Sequence, residues 1–217
     1  MFAGPVQVKI YADLIPTGNE KESIGGIDPT KLERIQETVK SLAGVSNVSV
    51  NSAAGTIDAA YSGPFEKVED IEKAIARTGV HCALVSPAIV KFRPYNQDND
   101  SKVISALRGV PGQAGVSKIS GNFCVFLSAE SLDIPAILNA CKNAGYPGAI
   151  VSHDYYELAF TKLGDAARLE KELRETKFVL RGQIDVSANV VKVTVVRERC
   201  SRALLKRMIE ECGFEIS

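Results

Sequence analysis

The 217-residue chain has no tryptophan, two methionines and two histidines, and its aromatic residues amount to 6%. So few rings, with no basic stripe interleaved among them, exclude a stacking platform for nucleic acid. An excess of charge of either sign is also missing, because 26 Lys+Arg balance 26 Asp+Glu. A neutral chain has no global field with which to hold phosphates or an anionic membrane surface. No apolar run approaches the roughly 20 residues that span a bilayer, and the start MFAGPVQVK lacks the apolar centre of a signal peptide. The expectation is a soluble chain with no nucleic-acid partner and no membrane insertion, cytoplasmic unless a leader has been removed.

Cysteine is scarce and scattered. The five residues Cys82, Cys124, Cys141, Cys200 and Cys212 form no CxxC or CxC and have no HxxxH nearby, so neither a disulfide framework nor a close-spaced thiolate site follows. Cys141 and Cys212 fall on the apolar faces of predicted helices and Cys124 lies within FCVFL, which predicts packing. Cys200 begins a predicted helix, where the dipole favours a thiolate, but Arg197, Arg199 and Arg202 crowd it and a reactive role is not adopted. Catalytic signatures are absent too: there is no nucleophile beside a base, no carboxylate pair on one element, no P-loop and no dinucleotide fingerprint. The chain is therefore read as a non-enzyme with no cofactor.

What the sequence does contain is a repeat. One pattern occurs three times: a strand, a helix, two strands, a second helix ending at glycine, and a last strand. In the first copy these are VQVKIYA, DPTKLERIQETVKSLAG, VSNVSVN with GTIDAAY, VEDIEKAIARTG, and HCALVS. The second copy reads AIVKFRP, DSKVISALRGVPGQAG, VSKIS with NFCVFLS, DIPAILNACKNAG, and YPGAIVS. The third reads YELAFTK, GDAARLEKELRETK, VLRGQIDVS with VVKVTVV, SRALLKRMIEECG, and FEIS. Val90 to Gly145 and Leu158 to Gly213 both span 55 positions, whereas Val8 to Gly79 spans 71 because LIPTGNEKESIGG lengthens the first loop.

Local chemistry agrees. Asp28 before Pro29 is an N-cap followed by proline at the first helical position, and Leu32, Ile35, Val39 and Leu42 mark one helical face. Asp133 with Pro135 predicts another helix start, and Gly79, Gly145 and Gly213 stand where a helix stops in a left-handed residue. Alternation such as Val191, Val193, Val195 buries one sheet face under helices and leaves the other open. The fold class is α+β: three tandem ferredoxin-like βαββαβ units with antiparallel sheets and helices on one face. The repeats are assigned to residues 1–87, 88–153 and 154–217. The linkers between the copies are two or three residues, which predicts three small units packed as one body. The net charge of zero divides as −3, +2 and +1 over residues 1–88, 89–152 and 153–217.

LAGVSNVSVN with AIARTGV in the first copy, QAGVSKIS with ACKNAGY in the second and MIEECGF in the third resemble the heavy-metal-associated (HMA) domain of copper chaperones, mercury-binding proteins and metal-pumping ATPases. The resemblance covers almost the whole chain, and the third copy departs from it at KFVLRGQIDV, which lacks the glycine before valine. The family holds soft metal on the two thiolates of GMxCxxC between the first strand and first helix. Here those loops read DLIPTGNEKESIGG, PYNQDND and TKLGD, with no cysteine. The resemblance therefore implies the scaffold and not the metal site.

Remaining candidates are few. His81 and Cys82 follow Gly79 in the turn before the last strand, at the same end of the unit as the usual metal loop, and form a fallback ligand pair, although neighbours on a strand point to opposite faces. Asn96, Asp98 and Asp100 alternate like the start of a calcium loop but lack its glycine and distant glutamate, so they read as capping residues in a loop that is also a candidate contact surface. GGIDP offers backbone N–H groups to an anion, a weak signal alone, and RLEKELRE reads as a solvated helix face. His153 is expected to be a hinge residue between the second and third copies.

The function expected is that of a non-catalytic binding protein with a protein partner, using its exposed sheet faces and long first loop. One alternative keeps metal through non-motif ligands from different repeats, such as His81 or Cys82 with a neighbour's cysteine. Another is a small-molecule sensor like ACT-type domains, which bind effectors between paired units.

Overall fold

A computed structural model describes residues 5–14, 29–96 and 98–217. The Asp28 cap, most of the long first loop and most of GGIDP lie outside the described residues. The chain divides into two compact units, residues 1–89 and 90–217.

The first unit runs β1 (Val6–Ala12), α1 (Pro29–Lys40), β2 (Val45–Asn51), β3 (Thr56–Tyr61), a 3-10 turn (Phe65–Lys67), α2 (Glu69–Ala76) and β4 (Cys82–Ser86). Its antiparallel sheet has the order β2-β3-β1-β4. Two further sheets follow. One is built from β5 (Ala88–Pro94), α3 (Asp100–Arg108), β6 (Gln113–Ile119), β7 (Asn122–Leu127), a 3-10 turn (Ala129–Ser131), α4 (Ile134–Asn143) and β8 (Gly148–Ile150), in the order β6-β7-β5-β8. The other is built from β9 (His153–Lys162), α5 (Ala166–Glu175), β10 (Val179–Asp185), β11 (Val190–Val196), α6 (Arg202–Glu211) and β12 (Glu215–Ile216), in the order β10-β11-β9-β12. All three show the same βαββαβ order, so the fold is α+β and ferredoxin-like.

Each helix is held by the same device, a buried apolar pair four residues apart. The pairs are Ile35 and Val39, Ile71 and Ile75, Val103 and Leu107, Ile137 and Cys141, Leu169 and Leu173, and Leu205 and Ile209. That spacing stacks both side chains on one helical face. In the third repeat these residues meet Leu158, Val191, Val193 and Val195 in one core, where Phe160 and Phe214 stack edge to face with centroids 5.2 Å apart. Gly182 of β10 makes room for the helix: a Cβ there would come within 2.7 Å of Leu173.

The expected helix stops are present, with Gly79, Gly145 and Gly213 at φ of +81°, +86° and +89°. Asp133 caps α4, its carboxylate accepting the Ala136 N–H at 3.0 Å. The third helix ends earlier than its sequence suggests, at Arg108 and not at Gly115. Pro111 has no N–H to continue it, and Gly112 turns the chain at φ +73°, against Ser131, into β6. Among the described residues no helix is long and apolar enough to cross a membrane.

Candidate functional site

In the second and third repeats the described residues between the first strand and the first helix serve the helix they precede. Asn99 accepts the Lys102 N–H at 3.1 Å and the Ser101 hydroxyl at 2.8 Å, and Asp165 accepts the Arg168 N–H at 3.0 Å. Both side chains thus satisfy an orphan donor at a helix start. Asn96 accepts the Asp98 N–H at 3.2 Å in a local turn, Asp98 is exposed, and Asp100 pairs with Lys118. The three acidic or amide side chains do not converge on one point.

His81 is exposed, whereas Cys82 is buried, with its thiol donating to the Glu72 carbonyl of α2 at 3.3 Å. The pair is therefore split between surface and interior, His81 lying just before β4 and Cys82 being its first residue. All five cysteines are free and buried. Burial pushes the Cys141 thiol up to about 11 and raises those of Cys200 and Cys212. Cys200 precedes the helix it was expected to begin: Ser201 is the N-cap and α6 starts at Arg202. Among the described residues no three His, Cys, Asp or Glu side chains gather at a metal-holding spacing.

His153 differs from its expected role. It is the first residue of β9, buried at 5% exposure and paired with Val196 across the sheet. Ser152 Oγ accepts the Lys91 N–H at 2.8 Å and lies 2.7 Å from His153 Nδ1. Arg197 straps the same junction, with Nε bonded to Asp154 at 3.0 Å and Nη2 to the Ile150 carbonyl at 2.8 Å. Burial lowers the His153 pKa to about 4, against the opposing pull of Asp154, so its ring is neutral near pH 7. The junction is clamped at a site where the sequence suggested a hinge.

A convergence of polar groups lies on the open face of the third sheet. Register places Arg181 beside Thr194 and Thr194 beside Tyr155; the next row is Gln183, Lys192 and Glu157. Over these rows lies the start of α4 from the second repeat, with Leu132, Asp133, Ile134 and Pro135 forming the opposite wall. The two walls enclose a cleft of about 220 Å³. A second depression of about 240 Å³ shares Asp133 and Arg181 with it and reaches Pro111, Gly112 and Ser131. Arg181 bridges the walls, Nη1 donating to the Leu132 carbonyl at 2.6 Å. Tyr155 donates its hydroxyl to Glu157 at 2.8 Å, and burial first, then this carboxylate, raises its pKa. Lys192 is held 3.1 Å from Asp185. Thr194 is 3% exposed and lines the cleft.

Sequence reading missed this cleft. Strand parity alone puts the six side chains on one face, but nothing local says that the start of α4 covers that face.

No protein-family model matches the chain, and no curated protein matches its sequence. Among solved structures, the chain is similar to the water-soluble region of the P-type ATPase CopA from Bacillus subtilis, at 13% identity and a TM-score of 0.31, covering 100% of this chain and 93% of that one. It is also similar to the N-terminal soluble domains of Bacillus subtilis CopA, at 14% identity and a TM-score of 0.30, covering 100% of this chain and 95% of that one. Superpositions this loose carry no functional argument, and the fold is read from strand order and register.

Proposed function

We propose that the chain is a non-catalytic binding protein made of three degenerate HMA-like units, residues 1–87, 88–153 and 154–217, which have exchanged the soft-metal loop for helix caps. The observation that carries this reading is the use of Asn99 and Asp165, in loops without cysteine, to cap α3 and α5. The burial of all five thiols supports it, since a thiol held in an apolar site resists becoming the thiolate that a soft metal needs. Its partner is a protein, bound on sheet or loop surfaces. The test is titration of the reduced chain with Cu(I) and zinc, together with affinity capture from the source organism and metal analysis of the eluate. Weak metal uptake, insensitive to His81→Ala and Cys82→Ala, with a reproducible protein in the eluate is the expected result. Tight stoichiometric uptake lost in those variants would replace this reading with a metal-binding one.

A second reading, sensing of a small molecule between paired units, is favoured by the cleft between the second and third repeats. Its polar groups converge on a space closed on two sides.

A further inference from the structure

We infer that the cleft between the third sheet and the start of α4 binds a small dipolar molecule carrying one carboxylate and one amine, an amino acid or a compound of that size. This deepens the small-molecule reading and rests on it.

Three observations choose the chemistry. The first is Thr194, which sits in the middle of the row between Arg181 and Tyr155 and is 3% exposed. A hydroxyl that lines a cavity is available to an incoming group. The second is Arg181, next to it in the row. One N–H goes to the Leu132 carbonyl, which holds the guanidinium over the cleft and leaves the rest of its fork for an oxygen pair. Together these two donors suit a carboxylate.

The third observation favours a dipolar ligand over a simple anion. Glu157 and Asp133 line the same cleft. Glu157 accepts the Tyr155 hydroxyl on one oxygen, and Asp133 spends one oxygen on the α4 cap, so each has a second oxygen to offer an incoming donor. An anion alone would meet these carboxylates as well as Arg181 and Lys192, whereas a molecule that also carries an ammonium can pair with groups of both signs. The volume agrees, because about 220 Å³ is the space of roughly seven waters at ~30 Å³ each.

The test uses the full chain and isothermal titration calorimetry. The probes are the free amino acids and the ω-amino acids β-alanine, 4-aminobutyrate and 5-aminopentanoate, with acetate and methylamine as single-charge controls. At least one dipolar probe is expected to bind one-to-one, with neither control binding at the same concentration. Thr194→Val and Glu157→Gln should each weaken that binding about tenfold or more, while circular dichroism confirms that both variants fold. Absence of binding by every dipolar probe overturns the proposal. So does acetate binding as tightly as the amino acids, or binding that neither substitution changes. In the last case a ligand sits elsewhere and the broader small-molecule reading survives.

Discussion

Arg181 Nη1 donates to the carbonyl of Leu132 at 2.6 Å, linking the third sheet to the turn that precedes α4, 49 positions away in the sequence. A charged donor to a half-buried carbonyl stabilises by about 1–2 kcal/mol after allowance for partial exposure. Arg181→Met should lower the unfolding free energy of the chain by that amount in urea titration. An unchanged midpoint would show that the bond contributes nothing to holding the two repeats together.

The clamp at His153 predicts a pH dependence. The ring titrates at about 4 when folded and near 6.5 when unfolded. The folded state therefore binds the proton less readily, and the associated stability is complete above pH 6.5. It is lost as pH falls through the window from 6.5 to about 4. Linkage sets the loss at about 3 kcal/mol over that window. The groups facing the ring are Asp154, Arg197 and Lys91. Comparing urea unfolding of the chain with His153→Gln at pH 7, 5.5 and 4 isolates the effect from carboxylate titration, and the variant should show the flatter profile.

Gly182 of β10 lies against Leu173 of α5. An added methyl would lie 2.7 Å from Leu173 Cδ1 and 3.0 Å from its Cβ, and Leu173 is itself buried. Gly182→Ala should destabilise by about 1–3 kcal/mol through overpacking. Thermal unfolding checks this, and an unchanged midpoint would show that Leu173 gives way without cost.

Asn99 and Asp165 are predicted to act as caps. Replacing either by alanine should cost about 1 kcal/mol, the usual worth of a side-chain cap. Metal content of the purified chain should be the same in both variants. A fall in metal content without loss of stability would mean that these loops hold a cation.

The repeat and its elements were legible because they rest on local rules. Asp133 with Pro135 announces the start of α4, Gly213 announces the end of α6, and Val191, Val193 and Val195 mark the buried face of β11. The end of α3 was harder to read, because Val103 and Leu107 continue into an apolar Val110 while the stop depends on Pro111 and Gly112. His153 was misread for a related reason: proximity to a repeat boundary suggested a hinge, but burial and the Arg197 strap come from residues more than forty positions distant.

By itself the sequence determined three βαββαβ units, the face each helix buries, and the lack of cysteine in the loops where the family resemblance places metal. Periods of two and of 3.6 residues and a few caps suffice for that. The tertiary structure alone decided that the open face of the third sheet is roofed by the start of α4, so that Arg181, Thr194 and Glu157 share a cleft. Strand alternation dictates which side chains share a face, but whether that face meets water or a neighbour depends on docking between units, which leaves no periodic mark on the chain.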